Sequence, residues 1–580
     1  MTIFNLLYKK TKYRPHEPAI SWQSSQQKIT LTNLELWEEF KKVISFFKSI
    51  NITPGQKIGI CANTSGYWHL ADLGIMAIGC TSVPIYPTAS QDEINYILKD
   101  SDVTTLILED EGTKKRLPSL SKEITTLYIN EPNSEDTFLK YRKEKNLEDK
   151  YVLELIESVS NKYPASIIYT SGTTSSPKGV ITESSAIYEV LQGIAKQMKG
   201  KVKKGDTSLT SLPLSHVLGR CDSLLHLCLP IHTYFGESPK SFMNDLKASQ
   251  PHYIITVPRI LEKIKERIEA LSKNKPRYVK NLYSFNFSIA SSYFDKIDNG
   301  ITPSKLETNL FISVQKYFFS KIRNKISPNL KFLVSGGAKL SPVTYNFFRN
   351  IGIPILEGYG LTETFGPAFI NSQFGCPSGY VGFPIDGIKM KFAKDGEILL
   401  KGKSVFQEYA GIDGDDYFDK NGFFKTGDIG QWSISKGLKI TDRKKDIIVT
   451  SGGKNIAPVK IETLMSACPS ISHFMLVGDS RKYLTGLISI NKEDFSALIE
   501  QGKVPPGIDH DQLTQHPEIM ALVESEVQGV NEGLASYEKV KKFYIIPVSI
   551  SQGSIYLSTS LKLKKGKLFN KYIKEIDAMY

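Results

Sequence analysis

No CxxC pair occurs in the 580-residue sequence, and its six cysteines, Cys61, Cys80, Cys221, Cys228, Cys376 and Cys468, are scattered. That distribution argues against a disulfide framework and fits a reducing compartment. No apolar run approaches the roughly 18 residues a membrane span needs. The opening MTIFNLLYKKTK holds one brief apolar run before paired lysines and lacks the order of a secretory signal. A cytoplasmic protein is therefore expected. Zinc-finger spacing, an RNP-like motif and a basic leucine zipper are also missing, so nucleic acid is not an expected partner despite a net charge of +13. Part of that charge is local: from Lys541 to Tyr580 there are eight lysines against Glu575 and Asp577. The basic tail and the helical stretch after Pro258 are candidates for peripheral contact with the anionic inner membrane surface; a solvated basic face is the alternative.

What is present is ordinary for a soluble globular protein: 41% hydrophobic and 23% charged residues, over a length that implies more than one domain. TNLELWEEFKKVISFF starts with Thr32 and Glu35 in capping-box spacing and continues with helical periodicity. From KIGICANTSGYWHL through VTTLILED to SIIYT, strand-like and helix-like pieces alternate, which predicts α/β sheets with much parallel pairing. The polar stretch 131–149 reads as a surface excursion. Beyond Asp395, short strands with Gly and Asp turns predict a β-rich subdomain, and the last ~130 residues read as a smaller α+β unit. The expected fold class is α/β. It has a large N-terminal domain of several subdomains (1–442) and a small mobile α+β C-terminal domain (443–580).

The chemistry centres on YTSGTTSSPKGV, Tyr169 to Val180. A short β-forming run, Ser166 to Tyr169, leads into hydroxyl-rich chain that can neither pack as a core nor favour helix. Hydroxyls, free backbone N–H groups and the charge of Lys178 suit a polyphosphate; a solvated linker is the alternative. Pro177 before Lys178 and Gly179 after it depart from the Walker A pattern. SGGAKLSP (Ser335 to Pro342) follows the strand LKFLV, and its glycines let a flat ligand lie against backbone. EGYGLTET (Glu357 to Thr364) follows the strand IPILE and sets Tyr359 four residues before Glu363: an aromatic face for a base, a carboxylate for Mg²⁺. Near the end of the strand in FFKTGDIG, Asp428 can accept from two ribose hydroxyls. TDRKKDIIVTSGGKN supplies the forked donors of Arg443. Taken singly, each stretch has a bland alternative as a turn or a core aromatic. The group His216, Cys221, His226, Cys228 and His232 fits no common zinc pattern.

In this order the motifs closely resemble the AMP-forming acyl-adenylating enzymes, over nearly the whole chain. VPIYPT, LPLSHVLGR, VPRILEK, SGGKNIAP and LSTSLKLKKGK resemble the long-chain fatty acid–CoA ligase branch. The resemblance implies a ligase that uses ATP, Mg²⁺, a long-chain fatty acid and coenzyme A. Loading an acyl carrier protein, or a non-catalytic protein on the same fold, are the alternatives. It implies that Thr170, Ser171, Gly172, Thr173, Thr174 and Lys178 cradle phosphates, and that Thr170 and Glu363 bind the metal. Gly337, Gly358, Tyr359, Gly360 and Thr362 would contact adenine or the α-phosphate, and Asp428 and Arg443 the ribose. His216 would lie between the acyl and CoA channels, Lys445 would be the hinge, and Gly452 and Gly453 would reach the CoA channel. Ser175 stands where the family usually has Gly. Counting along the ending gives Lys564 the role of catalytic lysine, with Lys562 and Lys567 as alternatives because no Pro precedes Ser560.

Overall fold

The computed structural model describes residues 2–24, 27–117, 123–131, 134–159, 162–170, 177–238, 241–273, 276–372, 376–412, 415–451, 454–550, 554–558 and 562–580. Two large sheets organise the N-terminal part. One has six strands, of which the last, Lys178–Glu183, runs antiparallel to Pro164–Thr170 while the others pair in parallel. The other has 13 strands. Its centre is parallel, through Tyr253–Thr256, Phe332–Ser335 and Ile355–Leu361, and it continues as an antiparallel run that includes Gly437–Arg443 and Phe424–Ser433. Fully wound parallel strands need helices on both faces. The helix Gly66–Ala77 fills that role for both sheets at once, packing on Pro18–Ser24 of one and on Lys57–Cys61 and Thr81–Pro84 of the other. It is buried at every position, which its nearly uninterrupted apolar sequence requires.

Thr32 and Glu35 form the reciprocal capping box that their spacing predicts, at the start of the helix Asn33–Ser49. The 131–149 stretch departs from its reading as a surface excursion. Within it, Phe138–Lys143 forms a 3₁₀ turn whose Phe138 is fully buried against Phe46 and Phe47, with ring centroids 6.0 and 5.9 Å away. Two aromatics at i and i+3, Phe138 and Tyr141, bury enough apolar surface to pull a polar loop onto the core.

The helix Val217–Leu224 lies in the same interior. Its Arg220 forms a bidentate pair with Asp72, Nε–Oδ2 2.9 Å and Nη2–Oδ1 2.7 Å, with both side chains buried. Removing one partner of such a pair strands a charge in the core, at a cost of roughly 3–5 kcal/mol.

The helical segment after Pro258 comprises Pro258–Lys273, Arg277–Asp298 and Lys305–Val314. From there it continues through a π turn, Gln315–Phe319, into Ser320–Ile326. Arg277–Asp298 and Lys305–Phe319 pack as a hairpin through aromatic pairs: Tyr293 on Phe311, Phe287 on Phe319 and Tyr283 on Phe318. From Ile448 onward the chain builds its own apolar cores around the three strands His473–Val477, Leu484–Ser489 and Val540–Ile545, covered by the helix Pro517–Glu532. No helix among the described residues is long and apolar enough to cross a membrane.

Candidate active site

The phosphate-loop hairpin brings Thr170 directly opposite Lys178. Ser171, Gly172, Thr173 and Thr174, between them, lie outside the described residues, as do Gly452 and Gly453. Lys178 Nζ donates to the Tyr417 hydroxyl at 2.9 Å and lies over the rings of Tyr417 and Tyr409, 4.8 and 5.4 Å from their centroids. Aromatic faces orient the ammonium without neutralising it. Among the described residues it pairs with no carboxylate, so its charge remains available to an anion.

Tyr409 also reaches Glu363, donating to Oε1 at 2.7 Å, while the Phe406 N–H meets the Glu363 main-chain oxygen at 2.8 Å. One oxygen of Glu363 is thereby pinned and Oε2 is left without a hydrogen bond among the described residues, a fit for a hard cation. No cluster of three metal-ligating side chains occurs among the described residues.

The strand from Ile355 runs through Leu361, so Gly358, Tyr359 and Gly360 lie inside it rather than beyond its end. Parallel pairing with Phe332–Ser335 and antiparallel pairing with Gly366–Ile370 hold it extended. A Cβ at Gly360 would sit 1.9 Å from the Gly366 carbonyl oxygen, so only glycine fits. Gly337 takes a left-handed φ of +79° directly after its strand, where an L side chain would be strained. Thr362 begins the single turn that carries Glu363.

Asp428 lies within the strand Phe424–Ser433, not near its end, in register with Arg443 on the next strand. The Tyr359 hydroxyl donates to its Oδ2 at 2.6 Å and Arg443 Nε lies 3.1 Å from Oδ1. Burial pushes the Asp428 carboxyl up, with Arg443 and Tyr359 opposing that shift.

A fourth group completes the set. Lys562 sits within electrostatic reach of Arg443, Asp428, Glu363 and His216. Burial and then the Arg443 charge lower its pKa, against the pull of the two carboxylates. Lys564 is placed differently: it precedes the helix Lys565–Lys571, and its N–H is tied to the Tyr556 carbonyl at 2.8 Å. Among the described candidates, the lysine brought to these groups is Lys562. Lys567 falls within that terminal helix. Lys445 is exposed, in the single turn Lys444–Asp446 that joins Gly437–Arg443 to the C-terminal cores.

His216 caps the helix Val217–Leu224, its Nδ1 accepting from the Leu218 N–H at 3.1 Å. Burial, then the Lys562 charge, hold its pKa down at about 4, so it is neutral at pH 7. His216, Tyr359, Arg443 and Lys562 all keep solvent-accessible surface although protein encloses them closely. They line a cleft rather than fill a core.

His216 is in the lining of an apolar pocket of about 760 Å³, counting its open mouth. Leu218, Cys221, Asp222 and Leu225 line it at helical spacing, together with Gly336, Gly337, Gly358 and Gly360. Asp222 and Tyr253, both in this lining, have side chains that the sequence reading did not single out. Thr210 donates to Asp222 Oδ2 at 2.7 Å, and Oδ1 is buried without a partner. Burial pushes the Asp222 carboxyl up to about 7. Tyr409, Tyr417 and Asp222 carry no local pattern; only the folded chain brings them to the site.

The model of the AMP-binding enzyme family matches residues 7–410, and that of the AMP-binding enzyme C-terminal domain matches 445–580. The chain belongs to the AMP-binding enzyme family. Among relatives of this AMP-binding enzyme, long-chain-fatty-acid–CoA ligase FadD15 of Mycobacterium bovis is 30% identical, over 92% of this chain and 89% of that one. Human long-chain-fatty-acid–CoA ligase ACSBG2 is 27% identical, over 97% of this chain and 90% of its own. The fold matches the adenylation domain of a Mycobacterium chelonae carboxylate reductase at TM-score 0.72 and 19% identity, covering 100% of this chain and 91% of that one. It also matches o-succinylbenzoate coenzyme A synthetase from Bacillus subtilis, solved with ATP and magnesium ion, at TM-score 0.65 and 18% identity, covering 97% and 99%.

Proposed function

We propose that this AMP-binding enzyme is a long-chain fatty acid–CoA ligase. The observation that carries the reading is an apolar pocket lined by His216, Gly358 and Gly360, next to the Tyr359–Asp428–Arg443 cluster and within electrostatic reach of Lys562 through His216. Such a pocket suits a hydrocarbon chain whose carboxylate must emerge among cations. The curated relatives named for this activity support it.

In the first half-reaction a fatty acid carboxylate oxygen attacks the α-phosphorus of ATP. The bond to pyrophosphate breaks and an acyl-AMP mixed anhydride forms. Asp428 accepts from the ribose hydroxyls, with Tyr359 and Arg443 fixing its two oxygens. Gly337, Gly358 and Gly360 let adenine and the α-phosphate approach backbone, and Thr362 donates to that phosphate. Thr170 to Lys178, with Ser171, Gly172, Thr173 and Thr174, cradle the leaving phosphates. Lys562 places a cation where negative charge grows. Thr170 and Glu363 would hold Mg²⁺, which supplies further charge neutralisation on the phosphates.

In the second half-reaction the thiol sulfur of coenzyme A attacks the acyl carbonyl. The thiol proton is lost and AMP leaves with the bonding electron pair. Neutral His216, between pocket and cleft, orients the carbonyl carbon without adding charge. The domains divide as 1–442 and 443–580, and rotation at Lys445 withdraws Lys562 and brings the Gly452–Gly453 stretch to the thiol. Hinge positions absorb such backbone change without entering the chemistry.

The test is fatty-acid-dependent pyrophosphate release across chain lengths, with and without CoA, beside mass spectrometry of the product. Acyl-CoA formation supports the ligase. Accumulation of acyl-AMP in the presence of CoA points to a carrier-protein acceptor, and no release with any acid overturns the reading.

A further inference from the structure

The helical hairpin Arg277–Asp298 and Lys305–Phe319 is unusual in what it leaves uncovered. Tyr278 is 72% exposed, Phe285 61%, Leu306 79% and Tyr317 66%, with Leu282 and Leu310 also exposed. Single exposed apolar residues need no explanation, but a contiguous stripe does. On the first helix Tyr278, Leu282 and Phe285 recur at i, i+4 and i+7; on the second, Leu306 and Leu310 are four apart. That spacing puts each set on one helical face. The aromatic pairs Tyr283–Phe318, Phe287–Phe319 and Tyr293–Phe311 fix the helices antiparallel and in register. In an antiparallel pair, a stripe rotated the same way from the contact line on each helix ends on the same flank. Both stripes are so rotated: in this register Tyr317 lies beside Phe285 at the end that carries Tyr278 and Leu282, and Leu310 and Leu306 continue the same flank toward the Asp298 end.

The charge beside the stripe is of one sign. Between Arg277 and Ile326 eight lysines and arginines stand against three acids. Two of the acids are already paired, Glu307 with Lys296 and Asp298 with Arg349. Arg277, Lys280, Lys305, Lys316, Lys321 and Lys325 pair with no acid among the described residues. Apolar and aromatic side chains bordered by unpaired cations match the apolar depth and anionic headgroups of a bilayer surface. A protein interface would instead be depleted in lysine, and five of the six unpaired cations here are lysines.

We propose that this flank of the hairpin is a membrane-docking surface that takes an anionic lipid bilayer. It inserts Tyr278, Leu282, Phe285, Leu306, Leu310 and Tyr317 at headgroup depth, with the surrounding lysines on lipid phosphates. It places the docking surface on the hairpin and not on the basic tail after Lys541. The surface goes beyond the ligase reading and is tested without it.

The experiment is co-sedimentation of the full chain with vesicles of three parts phosphatidylcholine to one part phosphatidylglycerol, and with phosphatidylcholine alone, at low and high salt. The expected result is binding to the anionic vesicles that weakens with salt. The triple variant Phe285→Ser, Leu306→Ser, Tyr317→Ser is expected to lose at least tenfold in partition coefficient, and Lys321→Gln with Lys325→Gln to lose the preference for anionic lipid. Lys541→Gln with Lys542→Gln is expected to leave both unchanged. Unaltered circular dichroism and unaltered thermal unfolding show that the variants are folded. Equal sedimentation of the triple variant and the parent overturns the proposal. So does a parent that forms a dimer, dissolved by the triple substitution, and ignores vesicles, which would make the stripe a contact between copies of this chain.

Discussion

The Tyr359 hydroxyl donates to Asp428 at 2.6 Å, and Arg443 meets the other oxygen of the same carboxylate at 3.1 Å. The two donors come from different strands and each holds one oxygen of the carboxylate. Hydrogen bonds to a charged group contribute about 1.5–3 kcal/mol. Tyr359→Phe is therefore expected to raise KM for ATP by roughly tenfold to a hundredfold while leaving the fold intact. Steady-state kinetics at saturating fatty acid check this, and an unchanged KM would count against the role.

Lys562 and Lys564 separate in a half-reaction assay. Loss of one preorganised donor to developing charge costs about 10²–10³ in rate. Lys562→Gln is expected to lose that much in pyrophosphate release yet retain thioester formation from supplied acyl-AMP, while Lys564→Gln stays near the parent in both. The pH profile gives an independent readout. The cationic form is the working one and its pKa is lowered by burial and Arg443. The rate of the first half-reaction should therefore fall on the alkaline side at a lower pH than an ordinary lysine would give. Lys562→Arg, if it retains activity, should move that limb upward.

Lys445 lies in the single turn between the last strand of the large domain and the C-terminal cores. Fixing its φ should restrict rotation about it. Lys445→Pro is expected to slow thioester formation by at least tenfold, following the logic of rate-setting hinges, and to spare adenylation. Equal loss in both half-reactions would remove the hinge assignment.

Asp222 gives a stability prediction with a definite sign. Burial raises its carboxyl to about 7, from an ordinary value of 3.8. The folded state thus holds the proton more tightly than the unfolded one. Its contribution is fully present below the unfolded pKa and is lost as pH rises through about 7. Asp222→Asn keeps the acceptor for Thr210 and cannot ionise. Its melting temperature relative to the parent should therefore increase between pH 4 and pH 7, as followed by thermal unfolding. A flat difference across that window would contradict it.

Much of this site can be read before folding because its parts are short-range. A glycine forced by a carbonyl 1.9 Å away, as at Gly360, and a left-handed glycine after a strand, as at Gly337, leave marks in a few consecutive letters. The choice between Lys562 and Lys564 leaves no such mark, because it depends on how a separately cored body seats against the cleft. Asp222 is hidden for another reason: alone, a carboxylate on an amphipathic helix reads as its solvent face. Only the sheet beneath it, through Thr210, turns that face inward. Phe138 and Tyr141 went the opposite way, as two rings inside a polar stretch whose average composition outweighed them.

The residues after Ile448 pack around apolar cores of their own, and Lys562 hangs from that body into a cleft belonging to the other. The charge can therefore be inserted or withdrawn without breaking open either interior. A chain built this way can use a single pocket for two successive reactions with opposite needs. On the proposed reading, the anhydride would be made with a cation present and consumed with that cation elsewhere. Timing would then fall to the joint between bodies, with no change required of the walls around the acyl chain.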